Sequence, residues 1–340
     1  MRIAYIGPAK GTSLHRARAL ERLGHNVTVI DPWSWLGDSK WMGRWLYHTG
    51  GIGVGLFIDR RIFDEVKKID PEVIWVNQGE FLGHGLMRKL RSLQVPIVNY
   101  TNDDPFNGRD SKRFKRYLKA LPYYDLLALV RDVNLEEASS LGTQNAMRIW
   151  MSADEELHKP LQLTKQDREK WSSEVAFIGT WMPERGPFMK RLVEKGIPLS
   201  IWGDRWYKAK EWPILRRYWR GPGLYNVKDY VKAIQCAKIC LGLLSKGNRD
   251  LHTRRSMEIP AIGTLFCAER TSEHMHLYEE DKEAVFWKDA DECAEKCKWL
   301  LANDETRKRI ARAGHERCLK NGYFNENVCS EILDRLMRIK

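Results

Sequence analysis

Short apolar runs alternate along this chain with longer amphipathic segments. Strands are expected near 2–6, 27–30, 73–76, 96–100, 126–129 and 147–150, with helices near 13–23, 59–69, 84–93, 111–121 and 134–141. A second series places strands near 175–178, 199–202, 239–243, 264–267 and 284–286, with helices near 186–195, 227–236, 254–261, 289–302 and 304–319. Strands that read as continuous apolar runs and alternate with helices predict parallel sheets covered on both faces. Two such series in tandem predict an α/β chain of two Rossmann-like domains facing across a cleft, the first over 1–155 and the second over 170–322. The polar stretch 152–172, with Pro160, reads as the link. A last helix, about 323–339, follows the turn signal Asn321-Gly322.

Composition narrows the class. A chain of 340 residues accommodates two domains of ordinary size. No apolar stretch approaches the length of a membrane span, and the N-terminus runs straight into a strand without a signal-peptide pattern, which argues for the cytoplasm. The net charge of +12 favours anionic partners, whether nucleotide sugars, phospholipids or nucleic acid, although it also serves solubility. The seven cysteines show no CxxC pair or zinc-like spacing. Cys293 and Cys297 share a helix face without evident partner ligands, so all seven are expected to be reduced, mostly buried thiols. The first loop, GPAKGTSLHR, has only Gly7 and Gly11 of a dinucleotide fingerprint, which weakens a dehydrogenase reading.

The richest segment is DLHTRRSMEIPAIGTLFCA, residues 250–268. Asp250 and Glu258 bracket Arg254 and Arg255, and an apolar run with Gly263 follows. Guanidinium groups pair with phosphate oxygens, and a carboxylate accepts hydrogen bonds from ribose hydroxyls, so such a segment can hold a nucleotide diphosphate. It resembles the C-terminal donor-site signature of group 1 glycosyltransferases. The nearest pattern is that of the spore-maturation branch, roughly Thr-Arg-x-x-Glu-Ile-Pro-Ala-x-Gly, matched by Thr253, Arg254, Glu258, Ile259, Pro260, Ala261 and Gly263. Asp250 stands where the family has its first glutamate.

The resemblance covers 170–320 well and 1–150 more loosely. It implies the GT-B fold, with the last helix crossing back to the first domain. It also implies transfer of a sugar from a nucleotide-diphosphate donor to an acceptor hydroxyl of a glycan or lipid-linked saccharide, with domain closure excluding water. No cofactor and no metal are implied, because protein donors alone hold the diphosphate. Glu258 takes the ribose role by this resemblance, and Arg254 contacts phosphate or sugar. The loop after the strand at 175–178 brings Gly179 and Arg185 to the diphosphate, and Gly203 matches the turn after the next strand. Lys246, before the signature, is a further phosphate candidate. The spacing of Asp250 and Glu258 leans toward retention of configuration.

In the first domain, Gly11 allows close backbone approach, and His15 is a candidate general base or simply a surface histidine. Asp103 and Asp104 follow a strand's carboxyl end, where open parallel sheets bind ligands, yet Asp-Asp-Pro is also a common turn. Glu80 and His84 lie on a neighbouring glycine-rich loop, most simply as solvated residues. An inverting enzyme would need His15 or Asp104 as its base. Residues 31–61 carry Trp33, Trp35, Trp41 and Trp45 among basic residues. They can form an acceptor platform, a peripheral contact at the inner face of a membrane, a surface for stacking bases, or a packed helical excursion. Three alternatives remain open: a nucleotide-sugar epimerase of the same fold, a nucleic-acid glycosyltransferase, and a non-catalytic nucleic-acid-binding protein.

Overall fold

Six parallel strands form the first sheet: β1 (Arg2–Ile6), β2 (Asn26–Ile30), β3 (Val73–Asn77), β4 (Ile97–Thr101), β5 (Leu126–Leu129) and β6 (Ala146–Arg148). Their order is β2-β1-β3-β4-β5-β6. Six more parallel strands form the second: β7 (Ser173–Ile178), β8 (Leu199–Trp202), β9 (Trp219–Gly221), β10 (Ala237–Gly242), β11 (Leu265–Glu269) and β12 (Val285–Trp287). Here the order is β12-β11-β10-β7-β8-β9. The computed structural model describes residues 1–37 and 40–339.

The chain divides into two units, Met1–Trp150 with Asn325–Lys340, and Met151–Phe324. Each is a doubly wound α/β unit with its own apolar core. Strands β3, β4 and β5 are buried at every position, as expected of strands covered on both faces. Strand order reverses at one point in each sheet, between β1 and β3 in the first and between β7 and β10 in the second. Beside such a reversal the connections leave in opposite directions and open a crevice at the strands' carboxyl ends.

The differences from the expected elements have local causes. Strand β9 is three residues of Trp-Arg-Gly on an edge, too short and polar to show an apolar run. The stretch expected as a link belongs to the second unit. It carries a helix, Lys165–Trp171, whose Thr164 and Asp167 form a reciprocal capping box. Within 31–69 the described residues form helices Pro32–Leu36, Lys40–Thr49 and Val54–Ile69. Asp31 caps the first by accepting from the Trp33 and Ser34 amides. The final helix, Asn325–Ile339, packs on helix Gly11–Arg22 of the first unit, and Arg22 pairs with Glu326.

One close approach sets the second crevice. The ends of β7 and β8 meet so tightly that a Cβ on Gly203 would lie 1.9 Å from the Gly179 carbonyl oxygen. The Trp206 indole N–H donates to that same carbonyl at 3.0 Å, and the Trp219 indole donates to the Gly203 carbonyl at 2.9 Å. Gly203→Ala is therefore expected to lower unfolding stability by about 1–3 kcal/mol, because backbone rather than a flexible side chain must yield. Urea denaturation measures this, and an unchanged midpoint would show that the two strand ends separate freely.

Candidate active site

The second unit gathers most of the expected donor residues around the reversal between β7 and β10. Gly179 ends β7, and Arg185 opens the helix Arg185–Glu194. Arg185 does not project to solvent as an ordinary first-turn charge would. It is 3% exposed, and its guanidinium donates to the carbonyls of Thr180 at 2.7 Å, Leu244 at 3.1 Å and Leu243 at 3.3 Å. It thus ties the carboxyl ends of β7 and β10 together, and the expected direct diphosphate contact becomes a spanning role.

Arg255 lies beside it. Its Nε donates to the Ile178 carbonyl at 2.7 Å, and both guanidinium groups stand over the Phe177 ring. Among the described residues no carboxylate forms an ion pair with Arg185 or Arg255. Burial, reinforced by the charge of Arg255, lowers the Arg185 pKa to about 9. Two adjacent cations under one glycine loop form a site in want of an anion. The sequence reading placed its weight on Arg254, whereas Arg255 is the arginine that reaches the β7 end. The signal was the arginine doublet itself, which does not say which member faces the sheet.

Glu258 is 2% exposed at the centre of a buried polar cluster. The Tyr230 hydroxyl donates to its Oε2 at 2.6 Å, Arg254 lies 3.2 Å from Oε1, and His158 Nε2 lies 3.7 Å from the same oxygen. The Asp154 amide donates to His158 Nδ1 at 2.8 Å, so the neutral ring carries its proton on Nε2, facing Glu258. Burial pushes the Glu258 carboxyl up, but Arg254, His158 and the Tyr230 hydroxyl together outweigh it and hold the pKa at about 2. The expected ribose ligand is therefore an ionised carboxylate already engaged by protein donors. Tyr230 and His158 were not legible as its partners, since they lie far from it along the chain.

The helix that presents these residues, Arg255–Ile262, contains Pro260. Proline cannot close a hydrogen bond onto the Ser256 carbonyl one turn earlier. The buried Tyr278 hydroxyl supplies that bond at 2.7 Å. Thr253 and Asp250 are both buried just before this helix. Lys246, expected at phosphate, is exposed and pairs through Nζ with Glu269 at the end of β11.

In the first unit, Asp104 is buried as a turn element, accepting from the Phe106 amide at 3.1 Å and the Asn134 side chain at 3.1 Å. Those bonds oppose its use as a base. Asp103 is half-buried, 3.4 Å from Arg113, which also pairs with Glu80 at 3.2 Å and Asp110 at 3.2 Å. Glu80 is not solvated as expected. It is buried, its pKa is raised by that burial, and its Oε2 has no hydrogen-bond partner. It lines a crevice at the β1/β3 reversal with Gly7, Trp33 and Gln78. Gly11 is exposed with a left-handed φ of 55°, and His15 is half-buried in the helix that follows.

The tryptophans do not form one platform. Trp33 packs edge-on against Phe81 at 4.0 Å between ring centroids, Arg61 lies over Trp35, and Trp45 also packs against the core. Trp41 is 76% exposed. The aromatic-rich composition served mostly to close the core beneath the helical excursion.

Residues 185–334 match the family model described as "Glycosyl transferase-like". No curated protein sequence matches the chain. Among solved structures, sucrose-phosphate synthase from Thermosynechococcus elongatus superposes with a TM-score of 0.71 at 12% identity, over 99% of this chain and 98% of that one. Anabaena HepE in complex with UDP and glucose gives 0.68 at 12% identity, over 99% and 100%. A trehalose-6-phosphate synthase studied with bisubstrate glycomimetics gives 0.67 at 13% identity, over the full length of both. The fold is GT-B. The family match lies within the second unit and the last helix.

The Glu258 cluster yields a stability test. Glu258→Ala leaves Arg254 and Tyr230 without their acceptor and is expected to cost about 3–5 kcal/mol. A carboxyl whose folded pKa is depressed stabilises above its unfolded value of 4.5, and that stability is lost as pH falls toward 2. The gap between wild type and variant should be full above pH 4.5 and shrink below it. A gap independent of pH down to 2 would mean that ionised Glu258 does not hold the cluster.

Proposed function

We propose that this protein transfers a hexosyl-type sugar from a nucleotide-diphosphate sugar to an acceptor hydroxyl, and that its signature places it in the spore-maturation branch. The observation that carries this reading is the guanidinium pair of buried Arg185 and half-buried Arg255 beneath Gly179, whose hydrogen bonds go to backbone carbonyls and which form no ion pair with a carboxylate among the described residues. A diphosphate supplies the missing charge at the start of helix Arg185–Glu194, where backbone amides and the helix dipole also favour an anion. In this role Arg255 and Arg254 contact phosphate oxygens, Arg185 supplies field and holds the strand ends, and Glu258 orients Arg254 and the ribose side of the pocket. As the sugar–phosphate bond breaks, charge grows on the leaving diphosphate, and these fixed cations stabilise it. Gly203 and Gly179 leave room for the donor backbone contacts, while Asp250 and Thr253 shape the sugar side.

UDP is the preferred nucleotide, because HepE, which shares the fold, is described with UDP and glucose. Retention is the preferred outcome, since the trehalose-6-phosphate synthase is described as transferring with retention. On this reading Asp103, held by Arg113, accepts from an acceptor hydroxyl in the first unit, with His15 as a further candidate on helix Gly11–Arg22.

Calorimetry with UDP and UDP-glucose tests the donor site. Arg255→Gln should weaken UDP binding about 10- to 100-fold, the worth of a charge-assisted hydrogen bond, with little change in melting temperature. Wild-type affinity should fall as pH rises through about 9, where free Arg185 loses its proton. Equal affinity in wild type and variant would remove the diphosphate from this loop. Tight binding of oligonucleotides with no effect of UDP-sugar would favour a nucleic-acid-binding protein instead.

A second observation bears on the acceptor. Helices Lys40–Thr49 and Val54–Ile69 expose Trp41, Ile52 between them, Leu56 at 88% and Phe57 at 76%, near exposed Arg44 and Arg60. No helix among the described residues is long and apolar enough to cross a membrane. We propose that this apolar and basic face rests on an anionic bilayer and gives access to a lipid-linked saccharide. Co-sedimentation with phosphatidylglycerol vesicles should drop about tenfold or more in Leu56→Glu/Phe57→Glu. Equal recovery of both proteins would point to a soluble saccharide acceptor.

A further inference from the structure

Three cysteines that are scattered in sequence meet inside the second unit. Cys267 lies on β11, and Cys293 and Cys297 lie one turn apart on helix Ala290–Ala302. All are fully buried free thiols. Their Sγ atoms lie within 4.8 Å of one another. The same core holds Val285, Trp287, Ala294 and Leu300, so the wall around the sulfurs is apolar. Packing alone asks only for small apolar volume at these positions. It gives no reason for three sulfurs to converge on one point from two different elements.

A thiolate–metal bond of about 2.3 Å places three sulfurs about 3.8–4.0 Å apart around one ion. The observed separations need to tighten by less than about 1 Å, within reach of small side-chain rotations in Cys293 and Cys297. The donor set is sulfur alone, which selects soft d10 cations and rejects magnesium, calcium and manganese. Among the described residues no histidine or carboxylate joins the group, so coordination is three-fold.

We propose that Cys267, Cys293 and Cys297 form a structural site for one thiophilic d10 cation, of the zinc-group or copper(I) class. Binding forms three metal–sulfur bonds and releases the three thiol protons to solvent, with no change of oxidation state. The ion staples β11 to helix Ala290–Ala302. Because the site is closed to solvent, loading accompanies folding or local opening rather than surface capture. None of its three residues is among those assigned to the donor site.

The test uses the full chain, unfolded under reducing conditions and refolded with Cd(II), Zn(II) or Cu(I) in separate arms. Native mass spectrometry should show one ion per chain, and absorbance should show thiolate-to-metal charge transfer. The arm with the tightest binding identifies the class. Cys297→Ala and Cys267→Ala should each weaken binding by roughly 100-fold, while Cys236→Ala, outside the cluster, should leave it unchanged. If the triad variants fail to fold, alkylation mapped by mass spectrometry during wild-type unfolding replaces them: bound ion should make these three of the seven cysteines the last to react. Folded wild type that takes up no ion in any arm, binding that survives Cys297→Ala, or an alkylation order indifferent to metal would overturn the proposal.

Discussion

A buried guanidinium hydrogen-bonded to carbonyls, with no carboxylate in ion-pair contact among the described residues, is the constraint on which the second unit depends. Arg185 spans the carboxyl ends of β7 and β10, the two strands that part where the sheet reverses. Carbonyl oxygens accept its hydrogen bonds but do not neutralise its charge. Burying a charge without a counterion is costly, and the cost is reduced only when an anion arrives. The site therefore holds a standing demand for negative charge, and Arg255 beside it increases that demand.

The first unit repeats the arrangement with milder electrostatics. Arg16, on the helix after β1, is buried, lies 3.6 Å over the Tyr100 ring and donates to the Asn77 side chain at the end of β3. It too spans the reversal point of its sheet, but an aromatic face and an amide oxygen receive it. The charged cluster of Glu80, Asp103, Asp110 and Arg113 carries both signs. One unit thus presents a concentrated positive field. The other presents mixed hydrogen-bonding groups, which suit a phosphate and a polyol respectively.

Strictly local features were legible along the chain. Apolar runs marked eleven of the strands, most of which are buried on both faces and leave no polar alternation, and the exception, β9, is an edge of three residues. Gly179 and Gly203, expected at the donor, meet a packing requirement in the structure: one strand end passes over the other's carbonyl with no space for a Cβ. Helix Lys165–Trp171 hid in a polar stretch because its support is a capping box and one buried tryptophan rather than an apolar stripe. The tryptophans at 33, 35 and 45 left several readings open, of which packing against the core is the one observed, because amphipathic rings beside arginine look alike in sequence whether the ring faces lipid, sugar or core.

By itself the sequence determined two α/β units, their strand positions, and a segment with an arginine doublet that resembles a donor signature, since these depend on periodicity and short spacings. Only the tertiary structure decided which arginine faces the sheet and that Arg185 is buried. It alone showed that Glu258 is held by Tyr230 and His158, and that three distant cysteines share one point. Those facts depend on which side of a helix or strand turns inward and on what the opposite element places there. Charge interactions and sulfur contacts act through space over a few ångströms, whereas their partners lie tens of residues apart along the chain.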